Sequence, residues 1–236
     1  MDVRGNNVEV KEVKEIVESA DSLDEFAKEV SMLDKFRCDQ IVHFCGACTI
    51  RNHVMMGTES AQCGSLMDCI VKRPEPSERI KVKLMLDGVR GLSYLHGNGV
   101  LHRDIKPDNV LVFSLDEVMT VNGKLTDFWS SRNINMLMTN MTFSKGVGTP
   151  TYMAPEVLNK EKFNKPTDVF SFGVMLFEWF GWREAYLKAQ LKYPWQISAF
   201  VQAWNRLECS GVVNSENTQM CWRNDSWPTS ISRTVF

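Results

Sequence analysis

Residues 99–112 read Gly-Val-Leu-His-Arg-Asp-Ile-Lys-Pro-Asp-Asn-Val-Leu-Val, a polar loop between two short apolar runs. Within this loop, Asp104, Lys106 and Asn109 bring a carboxylate, an ammonium group and a side-chain amide close together in the sequence. Phosphoryl transfer needs a carboxylate to accept a hydroxyl proton, a cation to offset charge on the moving phosphoryl group, and an oxygen ligand for magnesium. The stretch therefore predicts a phosphoryl-transfer site, and the alternative is a charged surface turn.

The length, composition and charge of the chain limit the classes of protein to which it can belong. The chain has 236 residues, 44% of them hydrophobic, so it can bury a core as one large domain or as two lobes. Its 27 basic and 29 acidic residues give a net charge of −2, which argues against a nucleic-acid partner. The N-terminus lacks the apolar run of a signal peptide, and the longest apolar stretch, residues 169–182, is too short to span a bilayer. These features predict a cytoplasmic protein without a membrane segment.

The seven cysteines are an odd count without the spacing of a disulfide framework, so reduced thiols are expected. Cys45 and Cys48, together with Cys63 and Cys69, suggest a zinc site as an alternative. The second pair has five residues between its members and apolar neighbours. Buried thiols on strands are therefore the favoured interpretation.

Apolar periodicity predicts the first elements. Residues 8–11 alternate between apolar and charged side chains, as in a strand with one buried face. Residues 22–33 begin with a capping box and continue at helical spacing, which predicts a helix that carries Glu29. Residues 41–48 and 53–58 are predicted to be strands. The polar, glycine-bearing segment that follows them, residues 59–66, is predicted to link two lobes.

A long amphipathic helix is predicted immediately before the polar loop. Residues 83–96 place Met85, Val89 and Leu92 on one helical face. His96 closes this segment and is interpreted as a helix-end residue rather than a ligand.

The polar loop matches the pattern H-R-D-x-K-x-x-N and resembles the catalytic loop of protein kinases. Three further motifs follow in the family's order. Residues 125–129, Leu-Thr-Asp-Phe-Trp, resemble D-F-G with tryptophan in place of glycine, and residues 148–156 resemble the end of an activation segment, A-P-E. Residues 168–173, Asp-Val-Phe-Ser-Phe-Gly, resemble the start of the large lobe's buried helix. The similarity covers about residues 3–223 and is greatest to the tyrosine-kinase-like group.

The resemblance implies a two-lobed α+β protein kinase fold. Residues 1–62 would form a partial, strand-rich small lobe, and residues 63–236 would form a mainly helical large lobe. The implied activity is the transfer of the ATP γ-phosphate, with Mg²⁺, to serine or threonine of a protein substrate in intracellular signalling. Lys106, two places after the catalytic aspartate, favours serine or threonine over tyrosine as the acceptor.

Roles are assigned to the candidate residues by matching the family's motifs. Asp104 would be the base, Lys106 would contact the γ-phosphate, and Asn109 and Asp127 would be the metal ligands. Lys11 and Glu29 would form the ion pair that anchors the phosphates, and Thr58 would be the gatekeeper. The linker that contacts the base would include Glu59 and Ala61, and Leu111 would place an apolar side chain at the nucleotide.

Other implied roles concern support and regulation of the site. His102 would be structural, and Asp168 would hold the catalytic loop through backbone amides. Thr142 and Ser144 are candidate phosphorylation sites, because a phosphate there would pair with Arg103 and order the activation segment.

Three departures from the family pattern favour an alternative, a pseudokinase that acts as a binding or regulatory module with a protein partner. Only ten residues precede Lys11, so the first strand and the Gly-rich loop are expected to be absent from this chain. Glu9 replaces a small alanine and is expected to face the same cleft as Lys11. Trp129 replaces a glycine at a joint that must change conformation. A third interpretation is a truncated product that folds poorly.

Overall fold

A computed structural model of the chain describes residues 2–3, 6–12, 27, 30–31, 33–50, 53–127, 132–133, 148–161, 163–186, 191 and 193–207. Several sequence predictions lie outside these residues, namely those for Glu29, Phe128, Trp129, Thr142 and Ser144. Lys11 is described only by its backbone position in a strand. The predicted contacts of these side chains therefore stay predictions.

The N-terminal region contains an antiparallel sheet with the strand order β1-β2-β4-β3. Its strands are β1 (Asp2–Val3), β2 (Asn6–Glu12), β3 (Phe44–Ile50) and β4 (His53–Glu59). The strands predicted from alternation are thus confirmed, with β3 displaced towards the C-terminus. The short strand β1 pairs with β2 through Asp2 and Asn7, and Val3 and Asn6, which the alternation pattern did not predict.

The C-terminal region is mainly helical. Its described helices are α1 (Leu66–Lys72), α2 (Glu78–Gly97), α3 (Pro155–Leu158), α4 (Lys165–Gly181) and α5 (Pro194–Gln202). Four short strands accompany them as two antiparallel pairs: β5 (Val100–Leu101) with β8 (Arg132–Asn133), and β6 (Val110–Val112) with β7 (Gly123–Leu125). The two-lobed division into strand-rich and helical regions matches the predicted fold class.

Helix caps explain why the two long helices begin earlier than predicted. The Ser77 hydroxyl accepts a hydrogen bond from the Ile80 N–H, so α2 begins at Glu78 rather than at residue 83. Asn164 and Thr167 form a capping box that starts α4 at Lys165. Helix α4 is apolar on most of its circumference and is buried accordingly, with Trp179 fully inaccessible.

The chain segment before β3 connects the small sheet to the large lobe. The Leu125 N–H donates to the Gln40 carbonyl at 2.9 Å, and the Val42 N–H donates to the Leu125 carbonyl at 2.9 Å. Gly91 of α2 lies against the same segment, where an added Cβ would be 2.9 Å from the Gln40 carbonyl oxygen. This contact fixes the end of β7, two residues before Asp127.

The cysteine predictions are partly wrong. The described cysteines are free thiols, as expected. Cys69 is buried, and burial raises the pKa of its thiol to about 11. Cys45 and Cys48, however, are exposed on β3, which is an edge strand of the sheet. Within the described ranges, no group of three or more His, Cys, Asp or Glu side chains is arranged to hold a metal ion.

None of the helices formed by the described residues is long and apolar enough to cross a membrane.

Candidate active site

The predicted catalytic loop lies between β5 and a 3-10 turn (Pro107–Asn109) that leads into β6. Asn109 is 4% exposed, and its amide nitrogen donates to the Asp104 carbonyl at 2.7 Å and to Asp104 Oδ2 at 3.1 Å. The amide therefore fixes the Asp104 carboxylate, whose side chain is 10% exposed. Because the nitrogen is used in this way, the Asn109 amide oxygen is the atom left to act as a ligand.

Lys106 and Thr149 also contact the Asp104 carboxylate. Lys106 Nζ lies 2.8 Å from Asp104 Oδ2 and donates to Thr149 Oγ1 at 2.9 Å. The Thr149 hydroxyl in turn donates to Asp104 Oδ1 at 2.9 Å. Sequence reasoning assigned no role to Thr149, although it lies in the motif that ends with A-P-E. The structure thus adds the activation-segment end to the predicted site.

Asp168 holds the loop as predicted. Its carboxylate, in the first turn of α4, accepts hydrogen bonds from the His102 N–H at 2.9 Å and the Arg103 N–H at 2.8 Å. His96 Nε2 is 2.9 Å from the same carboxylate, a contact that the interpretation of His96 as a helix-end residue missed. His96 does occupy the last turn of α2.

The predicted metal ligand Asp127 follows β7 and is tied to the catalytic loop through its neighbour. The Thr126 N–H donates to the Asn109 carbonyl at 3.0 Å, and His102 Nε2 lies 2.9 Å from the Thr126 carbonyl. His102 is fully buried, in agreement with a structural role. Asp127 itself has φ 61°, a left-handed conformation that aspartate adopts more readily than most residues. These bonds bring the backbones that carry Asn109 and Asp127 together.

The predicted nucleotide side of the site lies on β2 and β4. Glu9 pairs with Thr58, and Lys11 pairs with Met56. Directly paired residues share a sheet face, and residues two apart on a strand do so as well. By register, the positions of Glu9, Lys11 and Thr58 are therefore on one face; the sequence predicted this for Glu9 and Lys11. The Glu9 side chain is exposed.

Glu59 makes contacts that the sequence did not predict, while its predicted backbone contact with a base stays a prediction. Its carboxylate accepts hydrogen bonds from Lys124 Nζ at 2.7 and 2.9 Å and from the His43 N–H at 2.7 Å. The Glu59 N–H donates to the His43 carbonyl at 3.0 Å, so this N–H is not offered to a base. The Glu59 carboxylate thus connects the start of the linker to Lys124 in β7.

The remaining predicted nucleotide contacts lie at the linker. Ala61 follows β4 in the linker, and Leu111 lies in β6, where it forms a β-bridge with Ser65 at the linker's end. Both side chains are partly exposed. Leu111 thus adjoins the end of the linker, and its contact with a base stays a prediction.

A buried carboxyl supports the segment that carries Thr149. Glu178 is 2% exposed, and its oxygens accept hydrogen bonds from the Tyr152 hydroxyl and the Ala185 N–H, each at 2.8 Å. Burial raises the pKa of Glu178 to about 7, and burial together with the Glu178 carboxylate raises the pKa of Tyr152 strongly. The sequence signal for this contact was the single glutamate in the apolar stretch of residues 169–182.

Comparison with known proteins agrees with this geometry. Residues 2–217 match the family model described as "Protein kinase domain". The chain is 33% identical over 208 residues to the dual specificity protein kinase shkB of Dictyostelium discoideum, covering 86% of this chain and 31% of that protein. It is 34% identical over 247 residues to the serine/threonine-protein kinase CTR1 of Arabidopsis thaliana, covering 98% and 28%.

A third relative is the probable serine/threonine-protein kinase SIS8 of Arabidopsis thaliana, 33% identical over 233 residues, with coverage of 95% of this chain and 22% of that protein. The chain thus spans less than a third of the length of each of these three relatives. The family match, the catalytic-loop geometry and the order of the motifs lead to one assignment. The chain belongs to the protein kinase family.

Proposed function

We propose that the chain transfers the γ-phosphate of ATP to serine or threonine residues of a protein substrate. The observation that carries this proposal is the arrangement of Lys106, Asn109 and Thr149 around the Asp104 carboxylate. A carboxylate held by three polar neighbours in a partly buried site can receive a hydroxyl proton in a defined direction. The family assignment supports kinase chemistry in general.

The residue roles form part of the proposal. Asp104 acts as the base, and Lys106 leaves Asp104 to contact the γ-phosphate when nucleotide binds. Asn109 Oδ1 and the Asp127 carboxylate hold Mg²⁺, since both are the oxygen ligands that this ion prefers. When bound, the ion offsets charge on the phosphates. Lys11 with Glu29 anchors the phosphates, and Thr58, Ala61 and Leu111 surround the base.

The proposal also includes the division into lobes, the cellular setting and the acceptor residue. Residues 1–62 serve as the small lobe and residues 63–236 as the large lobe, and the protein acts in cytoplasmic signalling. The preference for serine or threonine is supported by Lys106 and by the names of two of the relatives described above.

The second candidate function is a pseudokinase that serves as a regulatory module for a protein partner. One observation favours it: Glu9 lies directly opposite Thr58, so a carboxylate occupies the face on which ATP would bind. A negative charge there opposes the binding of a polyanionic nucleotide.

Asp104→Asn tests the proposed function, because asparagine keeps the shape of the side chain but cannot act as a base. We expect a loss of about 100-fold or more in phosphate transfer to a protein substrate such as casein. Asp39→Asn is the matched control, since Asp39 is exposed and has no assigned role, and it should retain the activity. Equal phosphate incorporation by the Asp104→Asn variant and the unchanged chain would refute the assignment. Absence of transfer by the unchanged chain would favour the pseudokinase.

A further inference from the structure

The carboxylate of Asp87 lies between α2 and the hairpin formed by β6 and β7. Asp87 is 2% exposed and stands in the middle of α2. Its Oδ2 accepts hydrogen bonds from the Asn122 N–H at 2.8 Å and from the Gly123 N–H at 3.1 Å, where β7 begins. Its Oδ1 is 3.8 Å from the guanidinium of Arg90, a side chain that is mostly exposed. Backbone N–H groups of the hairpin thus satisfy this buried carboxylate.

Strand β7 lies very close to α2, because glycine occurs on both sides of the contact. A Cβ at Gly123 would be 2.8 Å from Leu84 Cδ2, and a Cβ at Gly91 would be 3.1 Å from Leu125 Cδ1. Since Gly123 and Leu125 are the two ends of β7, the strand follows α2 from Leu84 towards Gly91. Apolar contacts are non-directional and do not select one position of a strand along a helix. The bonds to Asp87 do select one, because hydrogen bonds have narrow limits of length and angle.

The position of this hairpin matters because it carries both predicted metal ligands. Asn109 directly precedes β6, and Asp127 follows the end of β7 by two residues. Helix α2 leads through β5 into the loop that contains Asp104. The bonds to Asp87 therefore attach the hairpin to the same helix that leads to the proposed base. The distance between the metal ligands and the base depends on where the hairpin lies along α2.

From these contacts we infer that Asp87 is a positioning residue for the metal ligands. It acts through the backbone N–H groups at the start of β7 and fixes the position of this strand on α2. The carboxylate of Asp127 is thereby placed to share Mg²⁺ with Asn109. This inference deepens the proposed function and rests on it, because it names a determinant of the proposed metal site. The attachment of the hairpin can nevertheless be measured without phosphate transfer.

The test compares three variants of the full chain. Asp87→Leu removes the acceptor and keeps a side chain that favours a helix. Asp87→Asn keeps an oxygen that can accept from both N–H groups. Lys83→Met is the matched control, since Lys83, one turn earlier on α2, also makes two bonds to the connection between β6 and β7. It donates to the Glu117 carbonyl at 2.7 Å and to the Met119 carbonyl, neither of which belongs to β7.

The first measurement is amide hydrogen exchange by NMR with selective labelling of threonine and valine. The exchange rate of the Thr126 N–H, which donates to the Asn109 carbonyl, is divided by that of Val174, a buried residue in the middle of α4. This ratio corrects for global stability. We expect it to rise about tenfold or more in Asp87→Leu, because two buried donors lose their acceptor. It should stay within about threefold of the unchanged chain in Asp87→Asn and Lys83→Met.

The second measurement is the rise in Tm at a fixed ATP concentration as Mg²⁺ is titrated. Half of this rise should require about tenfold more Mg²⁺ in Asp87→Leu, because displaced ligands bind the ion more weakly. Asp87→Asn and Lys83→Met should match the unchanged chain. A role of Asp87 in stability alone would lower Tm without changing the Mg²⁺ requirement.

An unchanged exchange ratio or Mg²⁺ requirement in Asp87→Leu would overturn the inference, as would equal changes in Lys83→Met. If Asp87→Leu does not fold, Asp87→Ser replaces it, because the shorter side chain cannot reach both N–H groups and the same changes are expected. A chain whose Tm in ATP ignores Mg²⁺ overturns the metal-ligand assignment and this inference together. A chain that binds Mg-ATP but transfers no phosphate contradicts the proposed function alone, and the two measurements still decide the role of Asp87.

Discussion

Glu178→Gln is expected to stabilise the protein at alkaline pH and to have little effect near pH 5. Glu178 is buried on α4, and burial raises its pKa from 4.5 to about 7, with smaller contributions in the same direction from Glu184 and Asp108. The hydrogen bonds from Ala185 and Tyr152 act in the opposite direction. Ionisation of this carboxyl is therefore unfavourable in the folded protein.

The sign and size of the effect follow from linkage. A folded pKa above the unfolded one means that the folded protein binds the proton more tightly. The resulting stability is fully present below pH 4.5 and is lost as the pH rises through about 7. At about 1.4 kcal/mol per pH unit, the difference between 4.5 and about 7 corresponds to about 3 kcal/mol of folding free energy.

Glutamine removes the ionisation but keeps the hydrogen bonds. Its carbonyl oxygen can accept the Ala185 N–H, and its amide can donate to the Tyr152 hydroxyl oxygen. We expect the free energy of unfolding of Glu178→Gln to exceed that of the unchanged chain by about 1–3 kcal/mol at pH 8.5. Near pH 5, where Glu178 is protonated in the folded protein, the two should agree within about 1 kcal/mol.

Urea denaturation at pH 5, 6, 7 and 8.5, followed by tryptophan fluorescence, measures this difference. Glu184→Gln is the control, because Glu184 is a neighbouring carboxylate that is exposed, and its replacement should leave most of the pH dependence intact. A stability difference between Glu178→Gln and the unchanged chain that is the same at pH 5 and pH 8.5 would refute the reasoning.

Two further predictions concern the nucleotide face and the contact between lobes. Glu9→Ala should tighten Mg-ATP binding about fivefold, from roughly 1 kcal/mol less repulsion, and thereby raise the ATP-induced increase in Tm. Glu12→Ala, on the opposite face of β2, should leave that increase unchanged, and an equal gain in both variants would contradict the role of Glu9. Gly91→Ala should lower stability by about 1–2 kcal/mol in urea denaturation, because its Cβ would lie 2.9 Å from the Gln40 carbonyl oxygen. Gly97→Ala, in the same helix with nothing within 4 Å, should be neutral or stabilising, and a similar loss there would contradict the steric explanation.

Much of the local structure was predictable from the sequence. The alternation of apolar and charged residues around Val8 predicts β2, and apolar residues at helical spacing predict α2. Both elements are predictable because an element that buries one face needs apolar side chains at the regular spacing of that face. Helix starts were less predictable, since the caps at Ser77 and Asn164 lie outside the apolar pattern. The exposure of Cys45 was predicted wrongly, because the period of a strand does not say which of its faces is covered.

The candidate site likewise has one part that the sequence predicted and another that it did not. The sequence by itself determined the group formed by Asp104, Lys106 and Asn109, because five residues of covalent spacing suffice to bring their side chains together. The tertiary structure alone decided that Thr149 joins them and that His96 meets Asp168, contacts 45 and 72 residues apart in the chain. Such bonds depend on how helices pack and which segment covers them, and a pattern of neighbouring residues contains no information about the distance between two helices.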